Sequence, residues 1–343
     1  MEKRKRSLAI DILNGPMWDK ILRYALPVAA TGILGQLFNA SDIAIVGNFA
    51  EGDTVAAVAA VGANGPVIGL LLNIFIGIAL GANVVIANAI GRGDKETVSR
   101  AVHTSIVAAV LGGIIVGLLG QLLAEPVLSM LQVPEDVFPL ALKYMRIYLL
   151  GLPVIFLYNF EAAIFRSAGD TKTPLVALAL SGVLNVILNL FFVVVLNKTV
   201  DGVAIATVLA NVVSSVVLLR RLLRSELFIH VEFKNLRIDW KILWRILKIG
   251  VPAGIQGAVF SLSNIVVQSA INSLGKVTMA ASSAAFNVEI MAYYILNSFG
   301  QACTTFVGQN YGAGQIDRCR KALKLCLIES VIATACAVAI ALA

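Results

Sequence analysis

Nine stretches of this chain are long and apolar enough to cross a lipid bilayer, and they leave little of it for any other purpose. A helical crossing of the hydrocarbon needs about 20 apolar residues. The candidate spans are 21–46, 55–90, 101–123, 138–165, 174–196, 203–223, 246–272 and 279–310, with a ninth beginning near Cys319. The second is unusually long and is expected to break at Gly65-Pro66; the fourth contains Pro153. Hydrophobic residues make up 59% of the 343 and charged ones only 14%, whereas soluble domains carry about 25% charged residues. Backbone polar groups in lipid must bond within their own segment, which consecutive apolar runs achieve only as helices. The expected fold is all-α, a polytopic transmembrane helix bundle.

A net charge of +7 would raise the question of nucleic acid in a soluble protein. Here charge reports topology instead. With the N-terminus inside, 23 of the 27 Lys and Arg residues fall in inside loops, and only Lys143, Arg146, Lys198 and Lys276 lie outside. The positive-inside rule then sets a cytoplasmic N-terminus in a plasma (inner) membrane. The partner implied is the lipid bilayer and not nucleic acid. Four cysteines and two histidines show no metal or disulfide spacing. No G-x-x-x-x-G-K loop signals nucleotide hydrolysis. Neither a cofactor nor an enzymatic activity is expected.

The chain also repeats itself. A shift of 225 places sets Pro27 on Pro252, Gly32 on Gly257 and Asn39 on Asn264. A shift of 221 sets Gly91 on Gly312, Gly93 on Gly314 and Arg100 on Lys321. The second copy starts after six spans, so both copies enter the membrane from the same side, and the expected architecture is two pseudo-symmetric six-helix lobes. The division is a segment 1–20, a first lobe 21–223, a basic linker 224–244 and a second lobe 245–343. The chain ends in AVAIALA with no polar tail, so the second lobe is expected to be incomplete. Transporters of this design hold substrate between the lobes and rock one against the other.

Charged groups inside spans are costly and mark function by default. Asp42 lies in NASDIAIVG, either as a site for a proton or sodium ion or as a solvated group at the span's end. Asn185 and Asn189, four apart, share one helix face; they offer carbonyl oxygens to a cation or hydrogen bonds to another helix. Glu289 serves a cationic substrate or a proton, or sits neutral against a neighbour. Glu161 reads as an interfacial group near the inner face, and His103 as structural. Gln36, Asn39, Asn64, Asn73, Asn159, Asn264, Gln268, Asn297 and Gln301 suit a wet cavity between helices, although some will only pack.

These residues resemble a known family. Pro27 followed by Asp42, the turns Gly91-Arg92-Gly93 and Gly312-Ala313-Gly314, the loop from Arg166 to Pro174 and the pair Asn185 and Asn189 are similar to those of multidrug and toxic compound extrusion (MATE) exporters. The resemblance covers the chain from Ile21 onward. It implies twelve helices in two lobes and export of amphipathic organic cations or drugs driven by inward H+ or Na+, by a protein acting as a monomer. It also implies a cation-coupling site of Asp42, Asn185, Asn189 and Thr207, with Asn189 standing where one branch of the family has Asp. Asn can coordinate Na+ through its carbonyl but cannot release a proton, so Asp42 would carry any proton alone. An alternative is a flippase for lipid-linked saccharides, which would line its cavity with Arg or Lys; the mid-membrane charges, Asp42 and Glu289, are acidic instead. A non-transporting membrane fragment is the third reading.

Overall fold

The computed structural model describes residues 9–50, 52–225, 228–273 and 276–342. Among these residues it has nine long helices: α1 (Trp18–Phe49), α2 (Thr54–Gly91), α3 (Lys95–Met130), α4 (Phe138–Ser167), α5 (Lys172–Leu190), α6 (Val200–Leu223), α7 (Trp240–Ser273), α8 (Lys276–Gly312) and α9 (Ile316–Leu342). Among the described residues, eight of these are long and apolar enough to span a membrane. The exception is α8, which carries Glu289, Asn297, Gln301 and Gln309. The protein is an all-α transmembrane bundle. α3 and α7 outrun their apolar runs by a turn or more at one end at least, because polar and interfacial end residues continue the backbone ladder.

One expectation fails locally. α2 does not break at Gly65-Pro66 but runs through Pro66 as one helix of 38 residues. Proline removes one hydrogen bond, and neighbouring helices can absorb that loss inside a membrane. α5 ends differently from the others, passing into a π-helical turn at Phe191–Val195.

The loops explain the glycine motifs. Gly93 and Gly314 have φ of +69° and +72°, the left-handed region that glycine enters without strain. Gly91 and Gly312 serve another purpose: a Cβ on Gly91 would strike the Gln309 backbone, and one on Gly312 the Asn88 backbone. Asp94 then caps α3, accepting from the Thr97 amide at 2.9 Å and the Thr97 hydroxyl at 2.6 Å. Those bonds hold its carboxyl below the usual carboxylate range. Asp170 caps α5 in the same way, through Thr173 at 3.0 and 2.6 Å.

The repeat is visible in the packing. Gly32 of α1 sits on Tyr294 of α8, and Gly257 of α7 sits on Asn73 of α2. Gly32 and Gly257 are equivalent by the 225-residue shift, and their partners by the 221-residue shift. Gly91 on Gln309 and Gly312 on Asn88 form a second reciprocal pair. Small residues make these crossings possible. Gly77 and Gly81 of α2 meet Gly254 and Gly250 of α7, backbone against backbone. The equivalent positions on α8 and α1 are Ser298, Ala302, Ala29 and Ala25, all buried. Close helix approach in membranes depends on such small-xxx-small spacing.

Two apolar clusters hold the bundle. The larger joins α1 to α6 and takes in Ile229, Val231, Ile242 and Ile246. The smaller joins the N-terminal part of α1 to Phe299, Ala302 and Phe306 of α8, Ala322 and Cys326 of α9, and Ile12 and Met17 before α1. The basic linker is docked on α3 rather than loose. His103 Nε2 accepts the Glu232 amide at 2.9 Å, Thr104 accepts the Asp239 amide at 3.0 Å, and Arg100 pairs with Asp239 at 3.3 Å. His103 is thereby a structural residue.

Candidate functional site

Three helices bring the four predicted coupling residues together. Asp42 of α1 is buried at 5% exposure, as are Asn185 and Asn189 of α5 at 5% and 0%. Asn189 Nδ2 donates to Asp42 Oδ1 at 2.5 Å and to Asn185 Oδ1 at 3.2 Å. The Thr207 hydroxyl of α6 lies 3.2 Å from Asp42 Oδ2 and 3.0 Å from the Val203 carbonyl, and can donate to either. Asn185 Nδ2 reaches the Thr207 oxygen at 3.4 Å. One atom is left over: Asn189 Oδ1 is buried without a partner. A carboxylate out of water costs several kcal/mol unless it is compensated. Two neutral donors meet that cost only in part. The site thus presents a buried carboxylate and, on the amide that donates to it, an unused carbonyl oxygen, both of them groups that suit a cation.

The second feature is a cleft of about 690 Å³ between α2 and α4 on one side and α7 and α8 on the other. Asn73, Asn159, Asn297 and Gln301, predicted for a wet cavity, all line it. Asn264 and Glu289 are exposed and stand one turn beyond the lining residues Phe260 and Tyr293, on the same helix faces.

Other predicted cavity residues are elsewhere. Asn64 is fully buried between α2 and α4, donating to Ala60 O at 2.7 Å and Ala141 O at 3.1 Å. It packs helices and does not line the cleft. Gln36 is half-buried and Asn39 exposed on α1, and neither is among the cleft's lining residues. The Gln268 side chain lies outside the described residues. Glu161 is not interfacial: it is 0% exposed, with Oε2 accepting from Ser215 at 2.9 Å and Oε1 unpartnered. The sequence separates it from Arg166 by five places and so suggested the membrane edge, but α4 turns it inward against α6.

Sequence reasoning missed Arg166 as a cleft residue, having counted it with the loop cations. It lines the cleft near the basic end of the bundle and donates to Gln301 Oε1 at 3.0 Å. Below it the halves are latched. The Tyr24 hydroxyl of α1 lies 2.7 Å from the Thr305 hydroxyl of α8 and 3.2 Å from the Arg166 carbonyl, and can donate to either. Thr305 donates to Asn83 Oδ1 at 3.0 Å, and Gln309 donates to Ser167 O at 2.6 Å.

The MatE family model matches residues 27–191 and 252–343. The chain belongs to the MatE family. The two matched segments begin 225 residues apart, at Pro27 and Pro252, the offset of the internal repeat. A "Probable multidrug resistance protein YoeA" of Bacillus subtilis is 29% identical over 335 residues, covering 95% of this chain and 71% of that protein. A "FAD transporter" of Shewanella oneidensis is 24% identical, covering 92% and 70%. The chain superposes on a multidrug resistance MATE family transporter, described in an outward-facing conformation, with a TM-score of 0.89 at 23% identity, covering 98% and 74%. This MatE protein is an integral membrane protein with the helical fold of that transporter.

Proposed function

We propose that this MatE protein is a secondary active antiporter of the cytoplasmic membrane, with its N-terminus inside. It exports amphipathic organic compounds in exchange for H+ or Na+. The observation that supports this reading best is the Asp42 site. It sets one buried carboxylate and the unpartnered Asn189 carbonyl among groups from three helices. A bound cation satisfies both atoms at once. The cleft supplies the second requirement, since 690 Å³ suits a drug-sized molecule.

Family membership alone does not choose the substrate. One relative is named for multidrug resistance and another for FAD. The expectation of organic cations rests on Glu289 at the cleft's mouth, because Asp42 does not line the cleft. The flippase alternative and the non-transporting alternative gain no support from these relatives.

The test uses proteoliposomes loaded with a fluorescent organic cation, with a pH gradient and then a Na+ gradient imposed on wild type and Asp42→Asn. Gradient-driven transport that vanishes in the variant supports the antiporter and names its ion. Absence of transport under both gradients, in protein shown to be folded, overturns the reading.

A further inference from the structure

We propose that the floor of the central cleft binds an acidic group of the transported molecule, a carboxylate or a phosphate, with Arg166 as its ligand. This rests on the reading of the protein as an exporter that holds its substrate in this cleft. Among the described residues that line it, Arg166 is the one charged side chain. Among the described residues, no carboxylate stands within ion-pairing distance of its guanidinium. Glu161, five residues earlier on the same helix, is turned away toward Ser215.

The bland reading is a latch between α4 and α8. That role occupies little of the group: a guanidinium has five N–H donors, and Gln301 takes one, through a neutral oxygen. The cleft's other polar groups, Asn73, Asn159, Gln256 and Asn297 among them, are neutral amides that hydrogen-bond a ligand without neutralising the cation. An uncompensated charge between low-dielectric walls attracts an anion more strongly than it would in water. The planar fork of Arg matches carboxylate and phosphate oxygens in pairs. Glu289 stands twelve residues from Gln301 along α8, about 18 Å. An acidic side chain therefore stands one turn beyond the lining residue Tyr293 and a basic one lines the cleft near its other end, and a molecule whose cationic end lies toward Glu289 fits only if its other end is acidic or neutral.

The experiment is equilibrium dialysis of the purified protein with two matched pairs of probes and no ion gradient. Rhodamine 110 carries a free carboxylate and its methyl ester does not. Riboflavin 5′-phosphate carries a phosphate and riboflavin does not. The acidic member of at least one pair is expected to bind about tenfold more tightly, or about 1.4 kcal/mol. Arg166→Gln is expected to abolish the preference. So is Gln301→Glu, which sets a carboxylate on the guanidinium and decides the matter if Arg166→Gln does not fold. A preference in one pair alone supports the proposal and names the anion. Equal affinity within both pairs, or a preference that survives in folded Arg166→Gln or in Gln301→Glu, overturns it. Failure of gradient-driven transport would leave this binding result standing, and loss of the acid preference would leave the antiport reading standing.

Discussion

A single methyl group on the α2–α7 seam is predicted to hold the basic end of the bundle apart. In Gly254→Ala the new Cβ would stand 2.6 Å from the Ile74 carbonyl oxygen and 2.9 Å from Ile74 Cα. Ordinary contact begins at 3.4 Å, so the oxygen contact must lengthen from 2.6 to at least 3.4 Å. Backbone atoms yield only by moving the helices. Overpacking of this kind costs about 1–3 kcal/mol, and that energy acts against the state in which α2 and α7 touch. As a population shift it corresponds to about 5- to 150-fold toward the open end. The assay is electron–electron distance measurement between spin labels at Glu96→Cys and Asp317→Cys, both exposed at the basic end, with the native cysteines replaced. The control is Gly69→Ala on α2, where an added Cβ meets nothing within 4 Å; it carries the same gain in helix propensity without the clash. A longer or broader distance in Gly254→Ala alone is expected. Identical distributions in the two variants would refute the argument that backbone contact sets the closure.

Other consequences follow from single residues. Asp42→Asn is expected to reduce gradient-driven export to the level of empty vesicles while the unfolding midpoint stays near wild type, because Asn keeps the shape and loses only the charge. Glu161→Gln should retain export, which a side-by-side flux measurement would check. Ser215→Ala, by contrast, strips the buried Glu161 of its donor and should lower stability by about 1–3 kcal/mol, read from thermal unfolding in detergent. Arg318 holds the segment before α1 through the carbonyls of Ile12 at 3.1 Å and Gly15 at 3.0 Å. Arg318→Ala should raise amide exchange at residues 9–17 by about tenfold or more, the loss of one to two charged hydrogen bonds; unchanged exchange would show that apolar burial of Ile12 and Met17 suffices.

What the sequence discloses here depends on whether a signal is local. Span number and the repeat are local properties of apolar runs and of a few small residues in fixed order, so Pro27 with Pro252 and Gly91 with Gly312 were legible before any packing was known. Asp42, Asn185 and Asn189, which the structure brings together, stood out for a related reason: a carboxylate and two amides in apolar runs have few roles open to them. Asn64 carried the same signal, yet it serves Ala60 and Ala141, because an amide facing a neighbouring helix and one facing a cleft look alike in one dimension. Arg166 and Glu161 misled in opposite directions. Each lies near a helix end, where sequence position suggests water, but rotation about α4 aims one into the cleft and the other into the bundle. The pairing of Gly77 and Gly81 with Gly250 and Gly254 needed the crossing itself, since each motif alone is only a place where some helix can approach.

The ion site and the cleft share no side chain, so the exchange proposed here has to be coupled through an element that touches both. α1 does so. It carries Asp42 toward one end, lays Gly32 on Tyr294 at mid-length, and closes the basic end through Tyr24 on Thr305 and on the Arg166 carbonyl. An ion can shift the latch only by the difference in its affinity for the two arrangements of that helix, typically 1–3 kcal/mol in coupled sites. The contacts of one phenolic proton, which can go to Thr305 or to the Arg166 carbonyl, are of the same order. Tyr24→Phe removes them while leaving every atom of the Asp42 site in place. The expected result is ion binding equal to wild type, with substrate leaking from loaded proteoliposomes in the absence of any gradient. If the variant instead stays tight and its transport still follows the gradient, the latch is not what the ion acts upon, and coupling must run through α5 and α6 instead.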